Sequence, residues 1–216
     1  MHPHLNQSRF GGARVLFVMA VEAEYGACLR ALCKPLMTGV GVVEAAVGIT
    51  RALAVLEAAG TLPDLVVSLG SAGSARLHQT HVYQASNVSY RDMDASALGF
   101  PKGETPFLGL PRELPLLTRI PGVAQARLSS GSNVVSGAGY ATIDADMVDM
   151  ETYAILRACQ SFGVPLVALR GISDGDKELA EYADWTQYLH CVDRNLAQAF
   201  ELLAQGLTNG DIKLGV

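Results

Sequence analysis

Acidic residues at the ends of predicted strands and helices are the part of this sequence best suited to chemistry. Glu22 and Glu24 follow one apolar run, Asp174 follows another, and Glu151 begins a predicted helix. Each has an ordinary explanation by itself, because a carboxylate also caps a helix or stabilises its N-terminus. Together they predict carboxylates that converge at one edge of a sheet, with few cations nearby in sequence. That combination suits acid/base chemistry on a polar, uncharged substrate.

The common cofactor and metal motifs fit poorly. Gly39 and Gly41 begin a glycine-rich turn, but Glu44 stands where a dinucleotide fingerprint needs its third glycine. His78 and His81 have no obvious third ligand, so a surface pair is favoured over a metal site. We therefore expect no metal and no organic cofactor.

Composition excludes several classes of protein. Half of the 216 residues are hydrophobic and 17% are charged, which is enough to bury a large core. A net charge of −5 argues against a nucleic-acid partner, which needs a basic face. The apolar run Val15–Val21 is too short to span a membrane. The four cysteines form no CxxC pair, which favours reduced thiols in a cytoplasmic protein.

Apolar runs and helical periodicity alternate along the chain. The predicted strands are Arg14–Ala20, Leu65–Leu69, Val82–Ser89, Ala126–Ser130 and Leu166–Ile172, and the predicted helices are Glu22–Leu32, Val42–Gly60, Glu151–Phe162 and Asp184–Leu207. This alternation predicts one three-layer α/β domain over residues 14–207, with flexible tails at 1–13 and 208–216. Ligands of such sheets collect beyond the carboxyl ends of the strands.

Six segments, in order and covering most of the chain, carry a resemblance to a known family. They are Val18–Tyr25, Thr38–Ala46, Ser68–Ser74, Tyr90–Phe100, Val148–Ile155 and Arg170–Asp174. On these segments the chain resembles the purine nucleoside phosphorylase/uridine phosphorylase superfamily, and within it the methylthioadenosine/S-adenosylhomocysteine nucleosidases. The resemblance implies an α/β/α sandwich with a central mixed sheet, shortened after the first helix. It also implies a small-molecule nucleoside substrate and a homodimer.

The resemblance implies roles for two catalytic residues. Asp174 would donate a proton to N7 of adenine, and Glu24 would activate the water that attacks the anomeric carbon. Burial at a strand end would keep Asp174 protonated, and carboxylates near the ribose would stabilise its developing positive charge.

Further residues are implied to bind the substrate. Glu151 would accept hydrogen bonds from the ribose hydroxyls and Met150 would pack beneath the ribose. Ser173 would orient Asp174, and the backbone of Val135 would read the adenine edge. Three more positions complete the predicted site: Ser71, Val134 and Asp149.

The sequence departs from the family pattern in three places. The stretch from Glu24 to Thr38 is short, Ser132 replaces an Asp, and Val134 replaces an aromatic residue that stacks on the base. The last change predicts weaker binding of adenine, or a different base. Trp185 and Tyr188 could wall the site of the 5′-substituent, although helix packing is the favoured explanation for both.

Hydrolysis is favoured over phosphorolysis because the loop Val21–Glu24 is acidic and would repel phosphate. Arg91 and Arg170 remain candidate anion ligands, so phosphorolysis stays open, with Arg170 favoured as a structural ion pair. A nucleoside-binding protein without turnover is a third possibility, which the complete set of carboxylates disfavours.

Overall fold

The structure is a computed structural model that describes residues 5–175 and 178–215. In this part of the chain the strands are β1 (Ser8–Phe10), β2 (Ala13–Met19), β3 (Leu36–Met37), β4 (Leu65–Gly73), β5 (Val82–Tyr90), β6 (Glu113–Pro115), β7 (Gln125–Ser130), β8 (Met147–Asp149) and β9 (Leu166–Asp174). The helices are α1 (Ala27–Arg30), α2 (Val42–Ala58), α3 (Thr152–Ser161), α4 (Tyr182–Thr186) and α5 (Leu189–Asn209). Short 3₁₀ turns cover Glu22–Glu24, Ser96–Leu98 and Gly137–Thr142.

These strands form one mixed sheet. β4 lies between β2 and β9 and is parallel to both. β9 pairs antiparallel with β5, β5 pairs parallel with β7, and β7 pairs parallel with β8. Because β8 returns to β4 through the pair Gly73 and Val148, five strands curl into a closed ring. The carboxyl ends of β2, β4 and β9 therefore lie at one edge, as the parallel pairing requires.

Two apolar cores, one on each face of the sheet, produce three layers. Along β2, Leu16 and Val18 face the core that α2 and α3 cover, whereas Val15 and Phe17 face the core under α5. The Phe17 ring stacks on Phe200 of α5 with 4.9 Å between centroids. Burial on both faces explains why this strand is apolar at consecutive positions rather than at alternating ones. The predicted α/β/α sandwich with a central mixed sheet is confirmed.

Two predicted helices differ from the structure. The segment Glu22–Leu32 contains a 3₁₀ turn and the single turn α1, because extended Gly26 separates them. The Asp193 carboxylate lies where a Gly26 side chain would be, and it accepts hydrogen bonds from the amides of Cys28 and Leu29. The predicted helix Asp184–Leu207 is divided into α4 and α5, and α4 packs against β9.

Within the predicted flexible tails, 1–13 and 208–216, some of the described residues are packed, while residues 1–4 and 216 lie outside the described part of the chain. Residues 8–10 form β1, antiparallel to β2, and the Phe10 ring contacts Phe17 and Phe200 edge-on. At the other end Ile212 is buried and lies against Gly206 of α5. No helix within the described residues is both long and apolar enough to cross a membrane.

Candidate active site

A cavity of about 600 Å³ opens where β2, β4 and β9 end. Eight of the nine predicted site residues line it: Glu24, Ser71, Val134, Val135, Asp149, Met150, Glu151 and Asp174. The ninth, Ser173, is fully buried beside Asp174. β4 and β9 run on to Gly73 and Asp174, so polar residues that follow the apolar runs still belong to strands and point in fixed directions.

Glu24 ends the 3₁₀ turn that follows β2 and is 8% exposed. Its Oε1 accepts hydrogen bonds from the Ser71 amide at 2.8 Å and the Ser71 hydroxyl at 2.5 Å. Burial raises the pKa of Glu24, while the two Ser71 bonds and the positive charge of Arg170 oppose that rise. The carboxyl group is thus held in one orientation and its proton affinity is increased.

Asp174 is the last residue of β9. Ser173 Oγ donates to its Oδ1 at 2.5 Å, and Tyr140 Oη lies 3.4 Å from Oδ2. Burial raises the pKa of Asp174, and both hydroxyl donors partly offset the increase. Gly73 permits this arrangement, because a Cβ there would overlap the Tyr140 hydroxyl and lie 2.8 Å from Asp174 Oδ2. Sequence reasoning missed Tyr140, since nothing in its neighbourhood distinguishes it from a loop tyrosine.

Glu151 lies at the N-cap of α3 and reaches back to the start of α2. Its Oε1 accepts a hydrogen bond of 2.8 Å from the Gly41 amide. Gly41 has φ +92°, a backbone conformation that favours glycine, so a glycine there lets this amide face the carboxylate. Burial raises the pKa of Glu151 to about 7, and the nearby Asp149 carboxylate adds to the increase.

Asp149 contributes to the cavity lining, but its side chain is bound by protein partners. Its part in substrate binding stays a prediction. The side chain is 1% exposed. Its Oδ1 accepts from Ser130 Oγ, and its Oδ2 accepts from the amide and hydroxyl of Thr152 and from Arg170 Nε at 3.0 Å. A carboxylate with these partners supports the start of α3, and with it Glu151, from beneath.

Both candidate anion ligands are fully occupied. The Arg170 guanidinium is 3% exposed and donates to Asp149, Ser68, Leu169 and Thr152. A guanidinium has five N–H donors, and described residues accept from all five.

Arg91 lines the cavity, yet protein acceptors also bind each of its guanidinium N–H groups. It donates to the carbonyls of Ser129, Gly131, Asn133 and Asp149 and to the Asn133 side chain. Neither arginine therefore presents a free N–H to an anion, and Arg170 makes the predicted structural ion pair.

The segment 179–185 crosses one side of the cavity. Leu179, Tyr182 and Trp185 are among its lining residues, and the Trp185 indole N–H donates to Ser71 Oγ at 3.1 Å. Trp185 therefore lines the cavity in addition to belonging to α4. Tyr188 is outside the described cavity lining. Also in the lining, Val134 is 65% exposed and Val135 is 6% exposed.

This geometry brings three carboxyl groups with raised pKa values to one largely apolar cavity. A raised pKa means that each carboxyl holds a proton more tightly than an exposed one, which suits groups that accept and donate protons in acid/base catalysis. Among the described residues no group of three or more His, Cys, Asp or Glu could hold a metal ion. The histidine pair His78 and His81, with ring centroids 5.3 Å apart, lies outside the cavity lining.

Comparison with known proteins identifies relatives by sequence. Residues 123–205 match the family model described as the phosphorylase superfamily. The 5′-methylthioadenosine/S-adenosylhomocysteine nucleosidase of Actinobacillus succinogenes is 35% identical over 162 residues, which cover 66% of this chain and 68% of that protein. The nucleosidase of Haemophilus influenzae strain PittEE is 33% identical, with 65% and 67% covered.

Solved structures share the fold. The 5′-methylthioadenosine/S-adenosylhomocysteine nucleosidase of Neisseria meningitidis, in complex with methylthio-immucillin-A, matches with a TM-score of 0.72 at 23% identity and covers 88% of this chain and 98% of its own. Futalosine hydrolase of Helicobacter pylori matches with a TM-score of 0.73 at 19% identity, over 88% and 97%.

Proposed function

This chain belongs to the 5′-methylthioadenosine/S-adenosylhomocysteine nucleosidases of the phosphorylase superfamily, and we propose that it hydrolyses the N-glycosidic bond of a 5′-modified adenine nucleoside. The products are adenine and the free 5′-substituted ribose. Methylthioadenosine and S-adenosylhomocysteine are the substrate class that its relatives' names indicate.

The single observation that supports hydrolysis best is the Glu24–Ser71 pair at the end of β4. Two donors on Oε1 hold the carboxylate in place while burial increases its proton affinity, which suits a base that accepts a proton from water. In the reaction, water oxygen bonds to the anomeric carbon and its proton goes to Glu24. The bond from that carbon to N9 breaks, and its electron pair leaves with the base.

Asp174 is the proposed acid for the leaving base. Its raised pKa favours the protonated form, so it can donate to N7 and neutralise the charge that the departing adenine would carry. Ser173 and Tyr140 orient the two carboxyl oxygens, so the proton is held at a fixed position.

Glu151 and Met150 form the proposed ribose site. Glu151 keeps one oxygen on the Gly41 amide and accepts hydrogen bonds from the 2′- and 3′-hydroxyls, and Met150 packs beneath the sugar. The backbone of Val135 reads the base edge. Val134 offers an exposed aliphatic surface in place of an aromatic one, and we infer weaker stacking on the base there.

Phosphorolysis is the alternative, and the occupancy of the arginines argues against it. Every N–H of Arg91 and Arg170 is bound by a protein acceptor, so phosphate would have to displace several of these bonds. A buried carboxylate beside the attacking group would also repel a phosphate dianion.

One experiment separates the alternatives. Purified protein is incubated with methylthioadenosine, with and without phosphate, and the products are resolved by liquid chromatography. Adenine release that does not depend on phosphate supports hydrolysis, strict phosphate dependence would establish phosphorolysis, and binding without base release would indicate a receptor. A panel of nucleosides with other bases tests the effect of Val134.

We further propose a cytoplasmic homodimer. Val40, Val43 and Val47 are 51%, 68% and 60% exposed around the start of α2, and Val40 also lines the cavity. An apolar face of this kind fits a subunit interface next to the site. Sedimentation should give a dimer that Val43→Glu weakens; a monomeric wild-type protein would refute the interface.

A further inference from the structure

Trp185, the only tryptophan of the chain, contacts the hydrogen-bonded pair of Glu24 and Ser71. Trp185 lies on α4, and its indole N–H donates to Ser71 Oγ at 3.1 Å. Its ring also meets the Tyr182 ring edge-on, with centroids 5.4 Å apart. Since Trp185 belongs to the segment 179–185 that crosses the cavity, this hydrogen bond joins that segment to β4.

The hydrogen bond from Trp185 to Ser71 determines which atom the Ser71 hydroxyl donates to. An indole N–H can only donate, so Ser71 Oγ accepts from Trp185. The single hydroxyl hydrogen of Ser71 is then directed to Glu24 Oε1, which lies 2.5 Å away. Without Trp185 that hydroxyl could rotate, and the Ser71 amide would be the one remaining fixed donor to Glu24 among the described residues.

Other contacts fix the start of α4 and the residues before it independently of this bond. Glu181 and Asp184 form a capping box at its start, and the Leu179 amide donates to Ser136 Oγ at 2.7 Å. The packing of the 179–185 segment therefore places Trp185 next to Ser71, and the hydrogen bond between them is not needed to bring the two residues together.

We propose that Trp185 is a positioning residue for the reaction: its indole N–H holds the Ser71 hydroxyl toward Glu24, so the carboxylate is set to accept a proton from water when α4 is packed over the cavity. The inference rests on the proposed hydrolysis, because it assigns Trp185 a part in orienting the water-activating base. The 179–185 segment would then have two effects. It lines the cavity, and through Trp185 it orients the Ser71 hydroxyl toward the Glu24 carboxylate.

The charged groups around Glu24 define the controls. Asp149, Glu151 and Arg170 act on it electrostatically from β8, the start of α3 and β9. Glu181 and Asp184 flank Trp185 on its own segment. If ionisation of Glu24 affects the Trp185 indole N–H through Ser71, the pH dependence of that N–H must disappear in Glu24→Gln. The same pH dependence must remain in Glu151→Gln.

The first test needs no turnover. Protein labelled with ¹⁵N-tryptophan gives one indole N–H resonance, and a titration follows its position from pH 4 to 9. We expect the resonance to shift upfield in Ser71→Ala, to titrate in wild type and in Glu151→Gln, and to lose that titration in Glu24→Gln. A resonance that ignores Ser71→Ala, or that still titrates in Glu24→Gln, would overturn the relay.

The second test is a kinetic cycle with Trp185→Phe, which keeps an aromatic ring but removes the donor. We expect kcat to fall about three- to tenfold, the effect of one neutral hydrogen bond. The acid limb of the kcat profile should move upward by a few tenths of a pH unit, because Glu24 loses a polarised donor. KM should change less than kcat.

Combination with Ser71→Ala decides whether the effect is relayed. In the Ser71→Ala background Trp185→Phe should leave both kcat and the acid limb unchanged, whereas additive losses would show that Trp185 acts only by packing. Gln187→Ala, at the exposed C-cap of α4, should match wild type. If wild type releases no adenine without phosphate, the proposed function fails; if it does and the cycle is additive, only this inference fails.

Discussion

Glu151 should make the free protein less stable as the pH rises, and Glu151→Gln should remove that penalty. Burial and the Asp149 carboxylate raise its pKa from 4.5 to about 7 in the folded protein. The neutral carboxyl is therefore favoured on folding: its stabilising contribution is complete below pH 4.5 and is lost as the pH rises through about 7. Glutamine keeps an oxygen for the Gly41 amide, so the substitution isolates the charge.

The size of the effect follows from the two ionisation constants. A tenfold difference between them is worth about 1.4 kcal/mol. Ionised Glu151 thus costs up to about 3 kcal/mol at pH 8, and roughly half of that once water in the open cavity is allowed for.

Urea unfolding of the ligand-free protein at pH 5, 6, 7 and 8 measures this difference. Glu151→Gln should be about equal to wild type near pH 5 and more stable by roughly 1.5–3 kcal/mol at pH 8. Glu57→Gln, at an exposed position of α2, is the matched control for replacing a carboxylate by an amide. A constant difference between wild type and Glu151→Gln from pH 5 to 8 would refute the reasoning.

Three further substitutions test the site. Asp174→Asn should lower adenine release at least about a hundredfold with an unchanged circular dichroism spectrum, and near-normal activity would remove Asp174 from the acid role. Gly73→Ala should lower kcat about tenfold or more, because its Cβ would overlap the Tyr140 hydroxyl and crowd the acid; adding Tyr140→Phe should restore part of the rate, and unaltered kinetics would contradict the crowding. Arg170→Met should cost about 3–5 kcal/mol in urea unfolding, because it leaves the Asp149 carboxylate buried without its cation, and a loss below about 1 kcal/mol would contradict this account.

The main strands and their convergence could be predicted because long apolar runs leave few alternatives. A strand such as Leu65–Leu69 is buried on both faces, so its sequence carries a strong signal. The two-residue strand β3 and the three-residue strands β1, β6 and β8 were missed, because so few residues show no period. β1 depends on Phe10 meeting rings from distant parts of the chain, which local patterns do not record.

Within the site, residue types were predictable but partners were not. Carboxylates at strand ends stand out in a sequence with few charges, so Glu24 and Asp174 are predictable from it. Asp149 has the same chemistry and lies next to the same edge. Its burial among Arg170, Ser130 and Thr152 gives it a structural role, and these partners come from separate strands and a helix.

The sequence by itself determined the fold class, the edge where the site forms and the three carboxyl groups that dominate it, because apolar patterning and residue chemistry are local properties. Tertiary structure alone decided which groups are free to act. It placed both arginines in closed sets of acceptors, seated Trp185 on Ser71, and brought Tyr140 to Asp174 across a glycine. Those assignments depend on hydrogen-bond geometry and burial, which arise only when distant segments pack together.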